Sequence, residues 1–190
     1  MTRRTITIVS GLPRSGTSLM MTMLEAGGMP VLTDNIRTAD ADNPNGYYEF
    51  ERVKEIEHDK SWLEEADGKA VKIISALLKH LPPNYTYSVV FMRRKIEEIL
   101  ASQRQMLIRR GEDPDTVSEI ARLSREHLSS VSSWLDRQSY IKTLYVDYNK
   151  IINSPLEPAR CVADFVEGDL DVEQMSMIVD PSLYRQRRRE

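Results

Sequence analysis

The chain has 190 residues, 41% of them apolar and 29% charged, with a formal charge of -3 and one cysteine, Cys161. That length suits one buried core, and the near-neutral balance argues against wholesale attraction to nucleic acid or an anionic membrane, so basic residues must act in local clusters. A lone cysteine excludes an internal disulfide and a thiolate zinc site, which fits a reducing, cytoplasmic setting, and the apolar stretch after Met1-Thr2-Arg3-Arg4 is too short for a signal-peptide core or a membrane span.

The first apolar run, Thr5 to Ser10, reads as a buried strand, and Leu19, Met20, Met23 and Leu24 follow at helical spacing. Thr33 to Tyr48, with Asp34, Asn35, Asp40, Asp42, Asn43, Pro44, Asn45 and Gly46, reads as a long loop of the kind that usually carries function. Further strand-like runs cover Ala70 to Ile74, Tyr87 to Met92 and Ile141 to Val146, and their nearly continuous β-branched character suits a parallel sheet buried on both faces. Helical periods run through Ile96, Ile99, Leu100, Gln103, Met106 and Leu107, then through Ile120, Leu123, His127, Val131 and Trp134, separated at Gly111 to Pro114. The alternation predicts a single α/β domain over 1–190, three-layer α/β/α around a central, mainly parallel sheet, with a basic tail at 185–190. Ligands of such sheets bind beyond the carboxyl ends of the strands.

Between the first strand and helix lies Gly11-Leu12-Pro13-Arg14-Ser15-Gly16-Thr17-Ser18, with the G-x-x-x-x-G-x-[ST] spacing of a phosphate-cradling loop. Backbone amides of such a turn and the positive end of the following helix bind an anion without help from any particular side chain. Thr17 occupies the position of a Walker lysine, so hydroxyls and Arg14 supply what the ammonium would. The ligand-free alternative is a helix start capped by Ser15 or Thr17. A cationic cluster, Arg93, Arg94 and Lys95, ends the third strand, where it would face the cleft; cations at a helix N-terminus oppose its dipole unless an anion is present.

Pro13 to Ser18 resembles the 5′-phosphosulfate loop of sulfotransferases that use 3′-phosphoadenosine 5′-phosphosulfate (PAPS), with the tyrosylprotein branch and related bacterial enzymes most similar. Arg94 at a strand end, with Ser102 eight residues later, is similar to that family's 3′-phosphate element. The segment Leu144 to Ile151, followed by Pro155 and Phe165, is a weaker match to its closing strand and helix. The resemblance implies a P-loop-like sulfotransferase fold and transfer of a sulfuryl group from PAPS to an acceptor hydroxyl or amine, with no metal. Pro13, Arg14, Ser15, Gly16, Thr17, Ser18, Arg94 and Ser102 would hold the nucleotide, and Arg185 in the tail would substitute for a missing C-terminal Arg-Lys-Gly element.

The family's cytosolic histidine position falls on Ile74, two residues after Lys72; resemblance to the tyrosylprotein branch implies a carboxylate base instead, with Asp34 first because it falls where that branch carries its glutamate, and Glu49 second. Arg14 would stabilise sulfuryl charge and Lys72 would assist. Bland readings stand beside these: an Asx turn for Asp34, and for Glu49 the first turn of a helix over Glu49 to His58. His80 reads as a helix end and His127 as a core or boundary histidine. The rival functions are a nucleotide kinase or triphosphatase with a degenerate Walker loop and Asp147 as its magnesium partner, and a non-catalytic nucleotide-binding module. The acceptor is open, and the short chain leaves room for a second subunit in the acceptor pocket.

Overall fold

A computed structural model describes residues 5–37, 46–111 and 117–183 of the chain. Five strands, β1 (Thr5–Gly11), β2 (Val31–Leu32), β3 (Ala70–Lys72), β4 (Thr86–Arg93) and β5 (Ile141–Asp147), form one all-parallel sheet in the order β2-β3-β1-β4-β5. Helix α1 (Thr17–Ala26) follows β1; α2 (Ile96–Arg110) and α3 (Val117–Leu135) separate β4 from β5; α4 (Tyr148–Asn153), α5 (Leu156–Phe165) and α6 (Val172–Met177) follow β5.

Alternation along the central strands divides the core into two layers. Ile6, Ile8, Val71, Ile73, Tyr87, Val89 and Phe91 face one side, where short 3-10 turns at Glu51–Glu55, Ser61–Glu64 and Ser75–His80 pack together with α3. Val9, Ala70, Val90 and Met92 face the other, against α1, α4, α5 and α6. The helices therefore flank the sheet on both faces, as the alternating pattern requires.

Three elements depart from the sequence expectation. β3 stops at Lys72, because Ile73 leaves the ladder after donating its amide to the Val9 carbonyl and Ile74 turns outward to 46% exposure. β5 is only half-buried because it closes the sheet edge. The stretch after Glu49 forms a 3-10 turn beginning at Glu51, which leaves Glu49 in irregular chain before it. Two further elements, β2 and α6, have two and six residues, too short to register as a hydrophobic period.

β1 has β3 on one side and β4 on the other, while the chain leaving β1 crosses to β2. The sheet order reverses there, and the loop after β1 opens at this switch point, the usual ligand crevice of an open parallel sheet.

Candidate functional site

The loop after β1 is shaped by glycines at two tight positions. A Cβ on Gly11, which has φ 150°, would lie 2.5 Å from Ser15 Oγ and 2.8 Å from the Met92 carbonyl. A Cβ on Gly16, at φ 98°, would strike the Tyr148 ring at 2.4 Å. Gly16 is also the N-cap of α1, with no side-chain cap and no acidic residue in the first turn, so the positive end of that helix meets no carboxylate of its own. Ser15 is 1% exposed, and its hydroxyl has no hydrogen-bond partner among the described residues. A buried orphan hydroxyl beside an uncapped helix start is the donor set an oxyanion would satisfy.

The loop and the β4–α2 segment are bonded directly to one another. Arg14 Nε donates to Ser102 Oγ at 3.0 Å, and one terminal nitrogen of Arg94 donates to the Arg14 carbonyl at 3.1 Å. Arg14 holds φ 71°, a left-handed conformation that costs a non-glycine residue on the order of 1 kcal/mol and persists when surrounding bonds over-determine it. The Arg94 guanidinium lies over the Tyr148 ring at 4.4 Å and donates from Nε to Glu98 Oε2 at 3.0 Å, while the Asn149 amide donates to Glu98 Oε1 at 3.0 Å. The Arg94 and Glu98 side chains are 8% and 3% exposed.

This revises the reading of the cationic cluster. Arg94 is buried rather than spread on the cleft surface, and the anion that stabilises it is internal, the Glu98 carboxylate one helical turn along. Arg93 and Lys95 are the exposed members, and Arg93 stacks on the Tyr145 ring at 3.7 Å. Glu98, Tyr148 and Asn149 carried no assigned role in the sequence; the i,i+4 spacing of Arg94 and Glu98 was the available signal for the first.

At the carboxyl end of β3, Lys72 points to the α1 side. Its ammonium donates to the Tyr47 carbonyl and lies 3.9 Å from Glu49 Oε1. Burial pushes the Lys72 pKa down to about 8, opposed by the Glu49 charge and assisted by Arg37. Arg37 donates to Glu49 Oε1 at 2.8 Å and lies 3.4 Å over the Tyr47 ring. Ser18 Oγ donates to the Tyr47 carbonyl at 3.4 Å, linking this group to the loop after β1. The Tyr48 hydroxyl donates to Glu25 on α1.

The two candidate bases have different surroundings. Asp34 accepts amides on both oxygens, from Ile36 at 3.0 Å and from Glu51 at 2.6 Å, and so closes an Asx turn while capping the 3-10 turn at Glu51. Glu49 presents its carboxylate to Lys72 and Arg37, while its carbonyl accepts from Thr33 and from the Asp34 amide. His80 ends its 3-10 turn, and His127 Nε2 is 2.8 Å from the buried Ser75 hydroxyl. Asp147 ends β5 with Lys150 at 3.9 Å. Arg185 and the loop residues Asp40, Asp42, Asn43, Pro44 and Asn45 lie outside the described residues. Among the described residues no helix is long and apolar enough to cross a membrane.

No family model matches the chain, and no curated protein matches it. Solved structures do. The sulfotransferase domain from the curacin biosynthetic pathway aligns over 95% of this chain and 89% of its own, at 14% identity and TM-score 0.50. Sulfotransferase STF9 from Mycobacterium avium aligns over 97% of this chain and 67% of its own, at 14% identity and TM-score 0.53. With a five-stranded parallel sheet flanked by helices and a glycine loop at its switch point, the chain has the fold of the sulfotransferases.

Proposed function

We propose that the protein is a sulfotransferase that moves a sulfuryl group from PAPS to an acceptor hydroxyl or amine. The observation that carries this reading is the direct bonding of the glycine loop to the β4–α2 segment through Arg14, Ser102 and Arg94, which joins two anion-directed elements into one surface. A nucleotide with anions at both its 5′ and 3′ positions fits such a surface, and the orphan Ser15 hydroxyl and the uncapped start of α1 suit the 5′ side. Ser102 and the exposed Arg93 would line the 3′ side, with Arg94 behind them holding the loop through the Arg14 carbonyl.

PAPS supplies a sulfuryl group on a phosphate leaving group, and transfer forms the acceptor oxygen– or nitrogen–sulfur bond as the sulfur–phosphate oxygen bond breaks. The chain's residues position and stabilise. Loop amides, the α1 dipole and Arg14 face the charge that develops on the sulfuryl oxygens, each well-aimed donor contributing about 3 kcal/mol. Glu49 takes the acceptor proton in this reading, because both Asp34 oxygens already hold backbone amides. Lys72, adjacent to Glu49, steadies the carboxylate and the charge at the acceptor side.

The test is ligand preference followed by substitution. Adenosine 3′,5′-bisphosphate should raise the thermal midpoint where magnesium ATP does not; stabilisation by the magnesium nucleotide alone would overturn the reading in favour of a kinase or triphosphatase. Glu49→Gln should cut transfer about 10²–10⁴-fold while leaving bisphosphate binding intact.

A further inference from the structure

The described non-glycine residues with positive φ are Arg14, Asn35 and Tyr48, and all three lie in the loops around the site. Arg14 is held by Ser102 and Arg94, and Asn35 sits inside the Asx turn of Asp34. Tyr48, at φ 52°, belongs to a segment with no regular secondary structure, between Gly46 and the 3-10 turn at Glu51. A tyrosine relaxes readily from this region to extended backbone unless something outside the segment fixes it.

We propose that Tyr48 is a positioning residue for the Lys72–Glu49 pair: its hydroxyl, donated to Glu25 on α1, holds the left-handed turn that brings the Tyr47 carbonyl and the Glu49 carboxylate to the Lys72 ammonium. The contacts lie one residue to either side of the strained position. Tyr47 supplies the carbonyl that receives Lys72 and Ser18, and Glu49 supplies the carboxylate 3.9 Å from Lys72. Relaxing φ at Tyr48 reorients the peptides on both sides, so the carbonyl and the carboxylate cannot both keep their places. The anchor is well chosen for the task. The Tyr48 ring packs against the core layer on the α1 side of the sheet, Thr22 and Glu25 present their side chains to its hydroxyl, and burial and the Glu25 carboxylate raise its pKa, which keeps the phenol a donor through neutral pH. Thr33 and the Asp34 amide fix the Glu49 backbone from the other end, so the segment is pinned at both sides of its strained residue.

The inference rests on the proposed sulfuryl transfer only for its kinetic consequence. Its first readout is the titration of Lys72, which needs no turnover: the pH dependence of lysine modification followed by peptide mass spectrometry. The charged groups facing Lys72 are Glu49 and Arg37, and burial pushes the ammonium's pKa down to about 8. Tyr48→Phe keeps the ring and removes the donor, and Glu25→Ala removes the acceptor. Each is expected to move the Lys72 midpoint by one pH unit or more toward the ordinary lysine range, as solvent reaches the ammonium. Glu25→Gln, which keeps an acceptor, should restore the midpoint. Transfer should fall about 10–100-fold in kcat with unchanged affinity for adenosine 3′,5′-bisphosphate, the scale of a displaced catalytic group. A Lys72 midpoint unchanged in both Tyr48→Phe and Glu25→Ala overturns the proposal, even if both variants melt earlier. A shifted midpoint in a protein that transfers to no acceptor upholds the positioning role and removes the sulfotransferase reading instead.

Discussion

Glu98→Ala probes the bond network that joins the two halves of the site. The carboxylate is 3% exposed and receives Arg94 Nε and the Asn149 amide, each at 3.0 Å. Removing it takes from a guanidinium that is 8% exposed the counter-charge it was buried with. Breaking a buried ion pair from one side costs about 3–5 kcal/mol, because the surviving charge stays desolvated. For a chain of this size that is a large share of a total stability of roughly 5–15 kcal/mol, and it corresponds to a fall in melting temperature of about 10 °C. Glu98→Gln, which keeps an acceptor for Arg94 but loses the charge, should cost about 1–3 kcal/mol. Urea unfolding followed by Trp62 and Trp134 fluorescence measures both, and calorimetry checks the midpoint. Since Arg94 also holds the Arg14 carbonyl, bisphosphate affinity should fall with stability. A loss below about 1 kcal/mol in Glu98→Ala would refute the reasoning, because it would mean that Arg94 finds water or another anion at no cost.

Gly16→Ala should destabilise by about 2–5 kcal/mol, the sum of a left-handed alanine and an overpacked Tyr148 ring 2.4 Å from the new methyl, read by denaturant midpoint; a neutral effect would show that the loop conformation is not as tight as described. Asp34→Ala should cost about 1–2 kcal/mol through two lost amide acceptors and should retain more transfer than Glu49→Gln; the opposite ranking in a rate assay would return the base assignment to Asp34. Lys72 has a folded pKa of about 8 against an ordinary 10.5, so between those values the unfolded chain binds more protons and stability rises with pH. Lys72→Met should abolish that rise in unfolding experiments across the same window. His127, whose pKa burial lowers from 6.5, implies by the same sign that stability falls as the pH drops below that value; His127→Gln should flatten the acid limb.

The parallel strands and the glycine turn after the first of them were legible in the residues alone. Ile8 and Val9, then Val89, Val90 and Phe91, are apolar on consecutive positions within short β-branched runs, the pattern of strands buried on both faces. Gly11 and Gly16 mark a turn closed to any Cβ, and Met20, Met23 and Leu24 place the helix behind it. Periodicity and local backbone chemistry suffice for such features because they act within a few residues. The site's connections span the chain and left no periodic trace. Arg14 reaches Ser102, Arg94 bonds the Arg14 carbonyl, and Lys72 meets Glu49 only because β1, β3 and β4 align their carboxyl ends at the switch point. Resemblance to the tyrosylprotein branch ranked Asp34 above Glu49 as the expected base, by its distance from the loop. Tertiary structure supplies the contrast between them, since Asp34's oxygens satisfy the amides of Ile36 and Glu51 while Glu49 stands beside two cations. Which carboxylate serves the backbone and which faces charge depends on the neighbours that folding brings from distant residues, and those neighbours set its chemistry.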